Sequence, residues 1–473
     1  MTEIEIRNYW EKFLQPIRVR KSDLNSQEKN DGRNPFDNDY SRVVMSSALR
    51  RLQDKTQVFP LEKGDFVRTR LTHSLEVAYF GETIGKSLEK ILLKKEILKK
   101  GQEGYIPKIL ATAGLVHDLG NPPFGHYGEE CIRCFFKEYF SSKEKHFLPE
   151  RLKKDLELFD GNVQTFRILT KLQFLGREGG FNLTYPTLAT VIKYPYNSGK
   201  QRKKEKIGYY YSEEEIYKKI VKKIIPNLEG KRYPLTFLLE AADDIAYCIA
   251  DIEDGAQKNL IKFSEIIDRI SDFLKKKDSK KYNNFNNKMK QIDKLNLVEI
   301  EKEKLKIQNL KIFLQGQLVS ETVNTFIENQ EKIFNGTFEG EILENGDYKK
   351  IKEELNKLTR EKIFTAKEII ETEIMGKKVI DSLLEHFVNA EMDIFNNGKN
   401  ASKQSKKIES LISDNYKYIC QEQEREDLNS ARDLEKVRRI KIYNSLKLCI
   451  DFISGMTDSY ALDLFKKING FSI

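Results

Sequence analysis

The stretch from Ile109 to Glu130 constrains the chain more than any other. An apolar run, Ile109 to Val116, delivers adjacent His117 and Asp118; Gly120 and Pro122-Pro123 then break the chain, and His126 follows three residues before Glu129. The Gly/Pro break ends a helix and folds a loop back over the pair. Consecutive His and Asp offer a divalent metal one nitrogen and one oxygen ligand. Glu129 reaches His126 if both lie on the first turn of the next helix, where a carboxylate orients the imidazole and raises its pKa. Taken alone, a His-Asp dipeptide reads first as a capped, buried histidine. Three of the chain's five histidines, counting His73, fall in or upstream of this one region, and that favours a site.

At 473 residues the chain is long enough for two or more lobes. No apolar run approaches the roughly 18 to 20 residues that span a bilayer, and Met1 to Glu5 lacks the basic start and apolar stretch of a signal peptide. Five cysteines, few and odd in number, point to a reduced, cytoplasmic setting. Cys131 and Cys134 form one CxxC with no second pair to complete a zinc site, so they read as thiols on a helix. Lys plus Arg exceed Asp plus Glu by 82 − 73 = 9, a mild excess that fits anionic substrates or weak single-stranded DNA contact and demands neither.

Residues 41–60 begin helical and end extended before Pro60. Thr69 to Val77 opens a helix whose spacing assigns Leu71, Leu75 and Ala78 to the buried stripe, with Arg70 and His73 on neighbouring positions. Residues 160–193 read as helices broken at Gly176 to Gly180. The basic run Ser198 to Lys206 reads as a solvated loop, with a grip on polyphosphate as the sharper alternative. From Leu235 to Ile252 the apolar residues form one stripe at about 100° per residue, while Asp243, Tyr247 and Asp251, spaced i, i+4, i+8, line another face. An ordinary amphipathic helix also keeps carboxylates off its stripe, so the pattern alone does not make Asp243 a ligand. Residues 258–440 are Lys/Glu/Asn-rich with helical periodicity, and Lys275 to Asn287 reads as an exposed insertion. The organisation expected is a catalytic core over 1–257, a helical region with insertions over 258–440, and a segment over 441–473 that packs back on the core. No repeat, phosphate-binding Gly-rich loop or nucleophile elbow is found.

The order His73, His117-Asp118, Asp243 is the H…HD…D pattern of the HD phosphohydrolase superfamily. Longer segments resemble the deoxyguanosine-triphosphate triphosphohydrolase family: Ser46 to Pro60 (SSALRRLQDKTQVFP), Arg68 to Glu76 (RTRLTHSLE), Gly114 to Glu130, Glu240 to Asp254 (EAADDIAYCIADIED) and Ser454 to Asp463 (SGMTDSYALD). The resemblance spans residues 33–255 and the C-terminal segment, and covers 258–440 thinly. It implies an all-α fold, an HD-domain helical core with an additional C-terminal helical region. It also implies hydrolysis of a dNTP, dGTP favoured, to a deoxynucleoside and inorganic triphosphate.

Residue by residue, the resemblance makes His73, His117, Asp118 and Asp243 ligands of a divalent metal; Asp244 is excluded because Tyr247 and Asp251 stack with Asp243 and not with it. Mixed imidazole and carboxylate donors suit Mn²⁺, Mg²⁺ or Fe²⁺. His126, paired with Glu129, becomes the general acid toward the nucleoside 5′-oxygen, with Asn121 a hydrogen-bonding neighbour. Arg70, Lys193 and Lys206 match phosphate-holding positions. Gln57, Val58, Tyr247 and Asp251 match a sugar pocket where an aromatic ring excludes a 2′-hydroxyl, and Asn162 a polar position near the substrate. Family members form ring-like homo-oligomers, hexamers among them. The lysine-rich middle departs from better-known members, so the base-reading positions are not placed and broader dNTP use stays open. Two readings compete: an HD hydrolase of another nucleotide (a 5′-nucleotidase or alarmone hydrolase), and a nucleotide-sensing or single-strand-binding regulator with salt-dependent affinity.

Overall fold

The computed structural model describes residues 1–20, 32–61, 64, 67–141, 148–173, 176, 179–199, 206–224, 229–428 and 433–471. Among these residues the regular structure is helical, and extended backbone pairs only in two isolated bridges, Arg18–Thr184 and Thr56–Thr69. The all-α expectation holds. The site is built by α1 (Arg70–Lys94), α2 (Tyr105–Val116), α3 (Gly125–Ser141), α4 (Gly161–Arg167) and α5 (Pro234–Gln257). Around it lie α6 (Glu299–Glu328), α7 (Lys349–Lys362), α8 (Lys367–Asn397), α9 (Asp414–Leu428), α10 (Leu434–Ser454) and α11 (Asp458–Ile468).

Helix α1 starts where the Thr69 hydroxyl accepts the Thr72 amide and Thr72 caps Thr69 in return. It buries His73, Val77, Phe80, Ile84 and Leu88. Leu75, assigned to the stripe by its spacing, is instead half exposed, because α2 and α5 cover the face that carries His73 and Val77. In α2 every residue from Ile106 to Val116 except Lys108 is buried, the pattern of a helix enclosed on all sides. The two helices touch through glycine: a Cβ on Gly114 would lie 2.7 Å from Ala78 Cα, and one on Gly85 2.6 Å from Pro107 Cα. This antiparallel approach sets the first turn of α1, with His73, beside the end of α2, with His117.

Two apolar cores result. The first joins α1, α2 and α5 to α6, α7 and the helices Phe263–Lys277 and Ser279–Asp293; the second joins α3 to α8, α9, α10 and α11. The Lys/Glu-rich middle is shared between them: residues to Ile369 face the first core, and those from Val379 face the second. The turn after His117 crosses the seam, with Leu119 in the first core and Phe124 in the second. The stretch 275–287 is largely exposed, as expected, but helical. It joins two packed helices, where Phe285 and Met289 are buried and Phe285 stacks on Phe313 of α6 at 4.9 Å. The Lys and Asn residues around them form the solvated face and mask that stripe. Of the basic run Ser198 to Lys206, residues 200–205 lie outside the described residues. No described helix is long and apolar enough to cross a membrane.

Candidate functional site

At the seam, His73, His117 and Asp118 each present a donor atom within 4.8 Å of the others. Asp243, projected from α5, places Oδ1 3.0 Å from His73 Nε2 and 3.6 Å from His117 Nε2. The two imidazoles meet edge to face at 5.3 Å. His117 Nδ1 donates to the Gly114 carbonyl at 2.7 Å, which fixes the tautomer and turns Nε2 inward. That Nε2 is buried with no hydrogen-bond partner. Burial disfavours charge on His117, but Asp118 and Asp243 outweigh it and raise its pKa to about 9. Burial likewise opposes ionisation of Asp243, yet His117 and His73 hold its carboxyl well below the usual range. An unpartnered imidazole nitrogen facing two ionised carboxylates fits a divalent cation held by His73, His117, Asp118 and Asp243. Asp244, one residue on, points away into an ion pair with Lys352 of α7.

The Asp118 carboxylate is oriented at both oxygens. Arg70 donates to Oδ2 at 2.7 Å, and Asn121 Nδ2 donates to Oδ1 at 2.6 Å. Gly161 lets α4 close over this loop, since a Cβ there would lie 2.2 Å from Asn121 Oδ1. Sequence reasoning missed two further residues. Buried Lys55 donates to the Asn121 and Ser454 carbonyls, and burial pushes its pKa down to about 7. Asp458 accepts from the Thr56 amide at 3.0 Å and the Thr56 hydroxyl at 2.6 Å through one oxygen, and from the Phe124 amide at 3.0 Å through the other. Phe124 has φ 63°, a left-handed conformation unusual for an aromatic residue. The signal for both residues lay in the matching segments Ser46 to Pro60 and Ser454 to Asp463, to which no role was attached.

His126 sits on the first turn of α3 with its side chain 88 % exposed, Nδ1 3.6 Å from Glu129 Oε2. At this distance the contact is an ion pair only when the imidazole is protonated, a state the Glu129 carboxylate favours by raising the His126 pKa. Glu129 is buried, and its Oε1 accepts the Gly161 amide at 2.8 Å. Lys206 and Asn162 both turn onto Asp160, the N-cap of α4. Lys193 is ion-paired with Glu240, one turn before Asp243; burial and Lys193 together set the Glu240 pKa at about 7. The three cation positions therefore differ: Arg70 contacts Asp118 directly, whereas Lys193 and Lys206 hold carboxylate partners of their own, Glu240 and Asp160.

On α5, two turns beyond Asp243, Asp251 is buried and neither carboxylate oxygen accepts a hydrogen bond of ordinary geometry, although Tyr247 lies close enough to influence it. Burial pushes the Asp251 pKa up to about 8. The buried Gln57 Oε1 is also without a partner, and Val58 next to it is partly buried. Each is a buried acceptor open to a ligand's hydroxyl donor.

Residues 70–158 match the HD domain family model. The chain is 38% identical to a deoxyguanosinetriphosphate triphosphohydrolase-like protein of Listeria innocua, over 98% of this chain and 100% of that protein. A protein of the same description from Synechocystis sp. is 30% identical over 98% of this chain and 100% of its own length. The deoxyguanosinetriphosphate triphosphohydrolase of Yersinia enterocolitica is 30% identical over 92% of this chain and 93% of its own. With the HD histidines and aspartates gathered at one seam and the likeness extending over nearly the whole chain, the protein belongs to the deoxyguanosinetriphosphate triphosphohydrolase family of HD-domain proteins.

Proposed function

We propose that the protein hydrolyses deoxynucleoside triphosphates, dGTP favoured, to a deoxynucleoside and inorganic triphosphate, using a divalent cation held by His73, His117, Asp118 and Asp243. The observation that carries this reading is the juxtaposition, along α5, of that donor cluster with the unpartnered carboxylate of Asp251. A polyphosphate and a sugar hydroxyl are the two ends of one substrate. Two imidazoles and two carboxylates suit Mn²⁺, Mg²⁺ or Fe²⁺. Such a cation neutralises phosphate charge and makes water more acidic.

The chain's own residues supply the rest. Arg70, already aligned on Asp118, offers its guanidinium to the phosphates, and Lys193 and Lys206 exchange their carboxylate partners for phosphate oxygens. Asp251 and Gln57 hold the 3′-hydroxyl, one accepting its proton and the other meeting its oxygen, Val58 lines the sugar, and the Tyr247 ring crowds a 2′-hydroxyl. Asn121 holds Asp118 in place, and Asn162 stands beside the phosphate-side lysine. In the reaction a water oxygen bonds to the α-phosphorus and the bond from phosphorus to the 5′-oxygen breaks. His126 gives its proton to that oxygen, and Glu129 favours the protonated imidazole beforehand. The exposure of His126 leaves it free to meet the leaving group. The reading extends to a ring-like homo-oligomer, as the family resemblance implies, in the cytoplasm, which the five free thiols support.

Hydrolysis in ¹⁸O-water tests the bond that breaks. The label should enter triphosphate and be absent from the deoxynucleoside. Label in the nucleoside, or pyrophosphate and a monophosphate as products, would overturn the mechanism.

A further inference from the structure

Arg70 and Asn121, the two donors that orient Asp118, are tied to one residue. The Lys55 carbonyl accepts the Arg70 amide at 2.8 Å, at the start of α1. The Lys55 ammonium, at the other end of the same residue, donates to the Asn121 carbonyl and to the Ser454 carbonyl, the latter at 2.8 Å. Lys55 is 2% exposed, and no carboxylate contacts its nitrogen among the described residues. Burying a lysine carries a desolvation cost that an apolar side chain avoids, and what the amine supplies in return is a donor to the Asn121 and Ser454 carbonyls.

We propose that Lys55 is a positioning residue for the metal site, its backbone fixing Arg70 and its side chain fixing Asn121, so that one residue sets both hydrogen bonds of the Asp118 carboxylate. The proposal rests on the reading of Asp118 as a metal ligand. The role does not depend on the charge of the amine, since its neutral form retains two N–H groups for the two carbonyls. The bond to Ser454 carries the same restraint into α10, so the second core steadies a ligand that belongs to the first.

The test is calorimetric titration of the full chain with Mn²⁺, below the unfolding temperature of each variant. Lys55→Met, which keeps the unbranched shape one atom shorter and removes the donors, should weaken Mn²⁺ binding about 10- to 100-fold, the usual effect of removing a residue that orients a ligand. Lys447→Met is the control. Lys447 is as deeply buried and hydrogen-bonds Gln164 and Asp451, but no residue of the metal cluster, so its variant should bind Mn²⁺ as the unmodified protein does. On an Asn121→Ala background, Lys55→Met should add little, because the restraint it removes acts through Asn121. The same cycle with Lys55→Arg covers the case in which the methionine variant does not fold, and its smaller loss should also vanish on that background. Unchanged affinity in Lys55→Met, an equal loss in Lys447→Met, or losses that multiply in the double variant would each overturn the proposal. Hydrolysis of dGTP by the unmodified protein is measured separately: failure there overturns the substrate reading and leaves the Mn²⁺ comparison standing.

Discussion

The two walls of the site are held by different means. On one wall, His73, His117, Asp118 and Asp243 project from α1, α2 and α5, whose spacing is set by close backbone contact at Gly85 and Gly114. On the other, His126 stands almost fully exposed, and the loop beneath it is fastened by single hydrogen bonds to Lys55, Gly161 and Asp458. The first wall is fixed by packing density, so disturbing it disturbs the core. The loop of the second wall is packed as closely, a Cβ on Gly120 or Gly161 meeting a neighbour at 2.2 Å, but the His126 side chain itself is exposed, so the chemistry it carries can be altered while the fold stays.

The contrast is tested most severely at the metal cluster. His117→Ala or Asp118→Ala should remove metal and turnover together, read by elemental analysis and product assay. Asp243→Asn should be more damaging than Asp244→Asn, whose carboxylate serves Lys352. Full metal in Asp243→Asn and none in Asp244→Asn would reverse that assignment. On the opposite wall, His126→Ala should lower kcat on the order of 10²–10⁴-fold while leaving metal content and thermal stability unchanged. A variant that lost its metal would move His126 across to the ligand wall.

A smaller effect separates packing from chemistry. Gly114→Ala places a methyl group 2.7 Å from Ala78 Cα, and overpacking of this kind costs about 1–3 kcal/mol. The variant should melt at a lower temperature, and Mn²⁺ affinity should fall with it, since the same contact sets His73 beside His117. Intact affinity would mean that the cluster does not depend on that crossing.

The mildest expectation concerns pH. Burial raises the Asp251 pKa from 3.8 to about 8, so the folded protein keeps a proton that the unfolded chain gives up. The stability this group contributes is fully present below pH 3.8 and is lost as pH rises toward 8. Asp251→Asn should therefore flatten the decline in melting temperature of the ligand-free protein between about pH 5 and pH 8. A decline of the same slope would show that Asp251 is ionised in the fold.

What was legible in the sequence follows the same division. The apolar run before His117 and the Asp243, Tyr247, Asp251 face of α5 are periodic features, and helical periodicity translates directly into faces. The structure brings His73, His117, Asp118 and Asp243 together, a grouping that the family resemblance implied and periodicity alone did not. Periodicity says nothing about contacts between distant segments, and Lys55–Ser454 and Asp458–Phe124 join residues 399 and 334 positions apart. Leu75 shows the limit within a single helix: its spacing fits a stripe, but the partner helices chose the neighbouring face. Phe285 and Met289 show the converse, a buried stripe hidden among lysines and asparagines. The carboxylate partners of Lys193 and Lys206 were invisible for the first reason, since a cation position carries no mark of what it meets.

The contacts made by Ser454 and Asp458 also set when the site can exist. A growing chain that has emerged as far as Ile453 already holds every residue proposed to touch metal or nucleotide. It still has no Ser454 carbonyl for Lys55 and no Asp458 to secure Thr56 and the left-handed turn at Phe124. Such a chain would carry the cluster residues without the contacts that secure the turn at Phe124 and the ammonium of Lys55.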